Sequence, residues 1–281
     1  MNSAKTRIKR LVKGTLAVAG GLFPKRRLSS RILTYHSVGL RDHEMNVRPD
    51  EFRRQMEWLV AHVPVISLRE AADLHPGVAV TFDDGYRDNL TEAAPVLREL
   101  GIPATVFLVV GRLGGLLDHD AGREHAALLT WDDVGELQAM GIEVGAHGLT
   151  HRRLSVLSET EQREEIGGSK RVLEHKLGKA VEAFAYPFGS TADYTALSAA
   201  LVREYGYAYA VSNRYGANHP GADRGTPACL RWALRRICID ATDTLENFGA
   251  KVEGALDLLA ALDSPVGLRA RRALNRWLGV E

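Results

Sequence analysis

Cysteine is nearly missing from this chain. Only Cys229 and Cys238 occur in 281 residues, too few for a disulfide framework, so a reducing compartment is the default expectation, with a single bridge between the two left open. Neither cysteine lies in a zinc-type spacing, so any bound metal must be held by histidine and carboxylate. Long apolar runs are missing as well. The apolar part of the N-terminal segment, Thr15 to Phe23, falls far short of the roughly 20 residues that span a bilayer. No Gly-x-Gly-x-x-Gly follows a strand pattern, which removes a dinucleotide site, and there is no internal repeat or low-complexity linker.

The formal net charge is only +1, but acid and base are unevenly spread. Residues 1–31 hold nine Lys and Arg and no acid, and residues 264–281 hold four Arg and one Glu. Residues 32–263 carry 23 basic against 34 acidic side chains, a net of −11. A body of that sign lacks the basic face that nucleic-acid binding needs. The basic ends call for a separate role. Residues 1–30 read as a basic amphipathic segment, with Ile8, Leu11, Val12, Leu16, Ala19 and Phe23 on one stripe and Lys5, Lys9, Arg10 and Lys13 off it. The preferred expectation is peripheral contact with an anionic membrane, ahead of a core-packed helix and ahead of an export or anchor signal. Gly20-Gly21 and Pro24-Lys-Arg-Arg27 make a poor cleavage site. Residues 263–281 read as a last basic helix opened by Ser264-Pro265. The favoured location is cytoplasmic, or peripheral at the cytoplasmic membrane face.

Between the basic ends, residues 31–262 alternate strand and helix patterns, which argues for one mainly parallel α/β domain. Strands are expected at 31–36, 78–82, 103–110, 142–146, 181–186, 208–212 and 233–239. Helices are expected from about 50, and at 90–100, 131–141, 158–177, 194–205 and 245–262. Four of these strands end on residues that carry chemistry. They end at His36, at Asp83-Asp84, at His147 with His151 four residues on, and at Tyr186-Pro-Phe-Gly189. Parallel strands deliver their carboxyl ends to one face, so the four segments can meet. One carboxylate with two imidazoles is a common catalytic metal set, and a second carboxylate off the metal can deprotonate water.

Thr81-Phe-Asp-Asp-Gly-Tyr86, His147-Gly-Leu-Thr-His151 and Tyr186-Pro-Phe-Gly189, in this order, closely resemble the polysaccharide deacetylases, which include the nodulation-factor-type chitooligosaccharide deacetylases and family 4 of the carbohydrate esterases. The resemblance covers about residues 31–240 and implies a distorted (β/α)7 barrel as a single domain. It implies Asp83 as the base, and Asp84, His147 and His151 as ligands of a divalent metal, most often Zn2+. Leu33-Thr-Tyr-His-Ser37 is similar to the first segment of the biofilm poly-N-acetylglucosamine deacetylases, whose strand order is circularly permuted. That makes His36 the expected acid, with His219 the competitor.

Departures from the family pattern are also visible. Gly148 stands where Ser or Thr is usual and removes a hydroxyl that would help hold the histidine loop. Ala185 stands where an Arg usually pairs with the base, leaving Arg235 or Arg236 to substitute. No Leu-x-His motif follows near the C-terminus. The implied reaction removes an N-acetyl group from an amino-sugar glycan, with a backbone N–H near Phe188 holding the oxyanion in the segment Tyr186, Pro187, Phe188 and Gly189. O-deacetylation, another small-amide hydrolysis, and silent saccharide binding are the alternatives, and loops 111–125 and 213–230 would decide between them.

Overall fold

In the computed structural model, residues 29–118, 126–220 and 230–257 are described. The terminal segments expected at 1–30 and 263–281 lie essentially outside these residues, as does Cys229. Among the described residues, no helix is long and apolar enough to cross a membrane.

Seven strands form one parallel sheet. They are β1 (Ser30–Tyr35), β4 (Gly77–Phe82), β5 (Ala104–Leu108), β6 (Glu143–Ala146), β7 (Ala183–Ala185), β8 (Tyr209–Val211) and β9 (Ile237–Cys238). Their order across the sheet is β8-β7-β6-β5-β4-β1-β9. The sheet curls until its ends meet. Val211 of β8 bridges Leu234, three residues before β9, and Ser212 N–H donates to the Leu234 carbonyl at 2.8 Å. That contact, not a full ladder, makes the barrel distorted. The expected strand over 233–239 is correspondingly short, with a 3-10 turn at Leu230–Trp232 and only Ile237–Cys238 regular.

Side-chain alternation sorts the strand residues into two packed layers. Ile32, Ala79, Phe107, Ala183, Ala185, Tyr209, Val211 and Leu234 form one buried cluster inside the curl. Leu33, Tyr35, Val78, Val80, Phe82, Val106, Leu108 and Phe184 face the other way, into the larger core with the helices. Strands buried on both faces read as continuous apolar runs, which is how β4 and β5 looked in the sequence.

The helices follow their sequence signals with local exceptions. They are α1 (Pro49–His62), α2 (Leu68–Ala72), α3 (Ala94–Glu99), α4 (Trp131–Ala139), α5 (Glu159–Arg163), α6 (Ser169–Leu177), α7 (Ala196–Glu204) and α8 (Leu245–Glu253). Ser67, Thr130, Ser158 and Thr195 each accept the backbone N–H three residues on, closing capping boxes. The expected helix over 158–177 is interrupted by a π turn at Glu164–Gly168. The expected helix over 90–100 opens with a π turn at Asn89–Ala93, just before Pro95, whose missing N–H cannot close an ordinary turn. The helix expected to reach 262 stops at Gly254, which takes φ 86° and caps α8. A short pair, β2 (Ser37–Val38) and β3 (Asn46–Val47), and helix α2 carry no strong sequence signal.

Inside the barrel, large and small residues alternate across strands. Phe107 lies opposite Gly145, and a Cβ on Gly145 would stand 2.5 Å from the Phe107 ring. Gly145→Ala is therefore expected to lose about 1–3 kcal/mol in urea denaturation, the usual cost of overpacking a filled interior. A variant as stable as the wild type would show that the ring has room to move.

Candidate active site

Register places the site. In the β1–β4 ladder Thr34 pairs with Thr81 and Tyr35 with Phe82, and Asp83 N–H donates to the Tyr35 carbonyl at 2.9 Å. The next residues in step are His36 and Asp83, at neighbouring strand ends. His147 follows β6, and its N–H donates to the Leu108 carbonyl of β5 at 2.8 Å. His36, Asp83, Asp84, His147, His151 and Phe188 line one cleft of about 520 Å3. Tyr86, Leu117, Asp118, Thr150, Asn213, His43 and Met45 complete its wall. Tyr86 and Thr150 belong to the motifs quoted above and Leu117, Asp118 and Asn213 to the loops 111–125 and 213–230, whereas His43 and Met45 carry no sequence signature.

Asp83 and Arg236 form a fully buried bidentate pair. The guanidinium donates from Nη1 to Oδ1 at 2.7 Å and from Nη2 to Oδ2 at 2.6 Å. Its Nε–H donates to the Ser212 carbonyl at 3.1 Å, and its plane lies over the Phe107 ring. Burial pushes the Asp83 carboxyl up, but the charge and hydrogen bonds of Arg236, with His147 and His36 adding, hold it well below the usual carboxylate range. Asp83 is thus ionised at neutral pH. Of the two arginines expected as substitutes, only Arg236 reaches it. Arg235 is a correction: its Nη1 donates to the Tyr215 carbonyl at 3.2 Å, and its N–H to Asn218 Oδ1 at 2.8 Å.

The second carboxylate faces the histidines. Asp84 Oδ1 lies 3.6 Å from His147 Nε2 and 3.3 Å from His151 Nε2, and a ligand atom from each residue lies within 4.8 Å of the others. His147 Nδ1 sits 2.8 Å from the Ala185 carbonyl, which can only accept. The proton is therefore on Nδ1, and the Nε2 lone pair is turned toward Asp84. Burial lowers the pKa of His147 to about 3 and also lowers that of His151. Two neutral imidazoles and one carboxylate converging on one point is a donor set that fits a divalent ion. Ala185, in place of the usual Arg, contributes its carbonyl to this orientation.

Asp84, His151 and Phe188 have φ of 73°, 64° and 62°, and with Leu74 they are the non-glycine residues in the left-handed region among those described. Strain of this kind costs about 1–3 kcal/mol per residue and persists only where the surroundings enforce it. At the turn after Asp84, Gly85 also takes φ 77°, and a Cβ there would meet Leu108 Cδ2 at 2.7 Å.

Other expected residues fall as follows. His36 is on the cleft wall, with its Nδ1 buried and without a hydrogen-bond partner among the described residues, while Asn89 Nδ2 holds its carbonyl at 2.8 Å. His219 is exposed and its ring lies against the Pro220 carbonyl, away from the cleft lining. In the Tyr186–Gly189 segment only Phe188 lines the cleft, its ring 4.7 Å from that of His151. Tyr186 is buried, stacks on Tyr194 at 4.1 Å, and donates its hydroxyl to the Trp232 carbonyl. Gly189 supports the turn, since a Cβ would stand 2.7 Å from Asn213 N. The loop left without a hydroxyl at Gly148 is held instead by Glu165, which accepts the Leu149 and Thr150 N–H groups at 2.9 Å each.

Fold and site together define a parallel α/β barrel with a carboxylate–bis-imidazole cluster beside an ion-paired carboxylate at its C-terminal mouth. The polysaccharide deacetylase family model matches residues 72–210. YxkH of Bacillus subtilis, provisionally named a polysaccharide deacetylase, is 29% identical over 231 residues, 79% of this chain and 75% of its own. The poly-β-1,6-N-acetyl-D-glucosamine N-deacetylase of Staphylococcus epidermidis is 27% identical over 161 residues, 51% of this chain and 54% of its own. The structure of IcaB from Ammonifex degensii superposes with a TM-score of 0.66 at 25% identity, covering 80% of this chain and 96% of that one. The chain belongs to the polysaccharide deacetylases, hydrolases acting on the acetyl groups of polysaccharides.

The buried pair generates a quantitative expectation. Removing one partner of such a pair strands the other charge and costs about 3–5 kcal/mol. Arg236→Ala should lose that much in chemical denaturation, and the Asp83→Ala/Arg236→Ala double variant should lose much less than the two single losses added. Additive losses would show that the two residues stabilise the fold independently.

Proposed function

We propose that the protein is a metal-dependent N-deacetylase of amino-sugar glycans. The observation that carries this reading is the division of labour between adjacent aspartates. Asp83 is tied to Arg236 and held ionised, while Asp84 Oδ1 faces the Nε2 atoms of two imidazoles. Asp84, His147 and His151 would hold the ion, for which Zn2+ suits the donor set. When bound, such an ion polarises an acyl oxygen and acidifies water.

The remaining steps belong to this chain's own residues. Asp83 accepts a proton from the attacking water, and Arg236 keeps the carboxylate charged and fixed in plane for that transfer. His36, at the neighbouring strand end, gives a proton to the departing amine nitrogen, without which the C–N bond would expel a poor leaving group. A backbone N–H near Phe188, in a strained turn beside the cleft, is suited to the oxyanion. The amino-sugar preference is supported by the likeness to the Staphylococcus poly-β-1,6-N-acetyl-D-glucosamine N-deacetylase; an O-acetyl substrate would use the same residues but would need less from His36.

Acetate release from N-acetylglucosamine oligomers, with bound metal measured in the same samples, tests the reading. Asp83→Asn should fold, keep its metal and lose about 10²–10⁴-fold in turnover. His36→Ala should lose most amide hydrolysis and retain far more activity on activated aryl acetates, whose phenolate leaves unprotonated. Metal content unchanged in the Asp84→Ala/His147→Ala/His151→Ala variant would remove the site, and His219→Ala as damaging as His36→Ala would reassign the acid.

A further inference from the structure

The loop carrying the two histidines, residues 147–153, has no regular secondary structure, yet it must present both rings at one point. Its backbone turns through left-handed conformations at Gly148 (φ 75°) and His151 (φ 64°). Such a loop collapses toward ordinary conformations unless its polar groups are claimed individually. Two of its carbonyls are claimed from β5's extension. Val110 N–H donates to Gly148 O at 3.3 Å and Gly111 N–H to Leu149 O at 2.7 Å. Two of its N–H groups are claimed by a single side chain. Glu165 Oε2 accepts from Leu149 N–H and Thr150 N–H, each at 2.9 Å, and Glu165 Oε1 takes the Thr150 hydroxyl.

Glu165 is 4% exposed, and among the described residues no Lys or Arg forms an ion pair with it. A buried carboxylate without a cation is expensive, and three donors from one five-residue segment are what offset that cost here. The chain is shaped around this arrangement. A Cβ on Gly148 would stand 3.0 Å from Glu165 Oε2, so the residue between the first histidine and Leu149 must be small for the carboxylate to approach. The π turn at Glu164–Gly168 places Glu165 where it faces the loop, and Gly167 within it lets the Tyr205 ring pack at a distance no Cβ would allow.

We propose that Glu165 is a positioning residue for the metal site: by reach and hydrogen bonding it templates the 147–151 loop, so that His147 and His151 face Asp84 before any ion is bound. The inference rests on the metallohydrolase reading for its purpose, but not for its geometry. It distinguishes reach from charge. Glu165→Gln keeps the length, an oxygen that can accept both N–H groups, and an amide that can donate to the Thr150 hydroxyl. Glu165→Asp keeps the charge but withdraws it from the loop by one methylene.

The test uses the full chain, stripped of metal, and reads two quantities. Hydrogen exchange over the peptide containing residues 147–151 reports the loop in the metal-free state, and titration with Zn2+ alone reports affinity. Glu165→Gln should stay within about threefold of the wild type in both. Glu165→Asp should exchange faster and bind Zn2+ about 10–100-fold more weakly, the range seen when groups supporting metal ligands are removed. The neighbouring exposed Glu164→Ala should change neither. The reverse ranking, with Asp tolerated and Gln not, would overturn the proposal in favour of a charge acting on His151. Equal exchange in wild type and Glu165→Asp would overturn it too. A wild-type chain that takes up no Zn2+ would sink the metallohydrolase reading instead, and exchange in the metal-free protein would still decide whether Glu165 holds the loop.

Discussion

One buried ion pair sets the terms for the rest of this structure. Asp83 and Arg236 are 153 positions apart and both without solvent. In a low-dielectric interior neither charge is tolerable alone, and their mutual attraction offsets the desolvation only when the geometry is good. The guanidinium fork meets the carboxylate with two bonds, gives its remaining Nε–H to Ser212 O, and rests over Phe107. Ser212 follows β8, Arg236 precedes β9 and Asp83 follows β4. The side chain that holds the base therefore also fastens the seam where the curled sheet meets itself, through Val211 and Leu234. Closing the barrel and charging Asp83 are one event, which ties the proposed chemistry to the fold's global stability.

A second constraint is where backbone strain sits. Three of the four left-handed non-glycine residues among those described, Asp84, His151 and Phe188, line the cleft. Each lies near a glycine in close approach to a neighbour: Gly85 against Leu108, Gly148 against Glu165, and Gly189 against Asn213. The cost of holding donors in place is met by packing at neighbouring positions, so the ligand atoms are aligned by the protein. That is the arrangement expected where rigid convergence matters more than local comfort.

Much of this was legible in the chain because the strands are buried on both faces and end on unusual residues. Asp83-Asp84, His147 and His151 could be brought to one mouth because parallel strands end on one face, and the helices expected at 131–141 and 158–177 begin at the capped residues Thr130 and Ser158. Arg236 could not be separated from Arg235. Adjacent strand residues point to opposite faces, and a two-residue strand offers too little pattern to fix which parity faces inward. Only the packed neighbours decide, with Leu234 inside the barrel and Arg236 in step with it. Gly148 read as a lost hydroxyl because the compensating contact comes from Glu165, on a separate helical segment and through a π turn that no propensity announces. The helix drawn to 262 overran because apolar spacing continued past Gly254, whose left-handed cap outweighed it.

The family resemblance and the working site do not have the same boundaries. Residues 72–210 contain both aspartates, both histidines and Phe188, so the matched segment holds the whole candidate ligand set. His36 and Arg236 lie outside it, one just past the first strand and one just before the last. Sheet order reunites them, because β1 lies between β4 and β9. The ends of that triplet thus contribute the members of the proposed proton-handling set: His36 after β1 as acid, Asp83 after β4 as base, and Arg236 before β9 as the cation that keeps Asp83 charged. Without β1 and β9, Asp83 would lose its backbone partner at Tyr35 and its only ion-pair partner among the described residues, and burial alone would then favour its neutral form. The half of the site proposed to bind an ion can be recognised locally, but the half proposed to move protons exists only once the first and last strands have closed on the fourth.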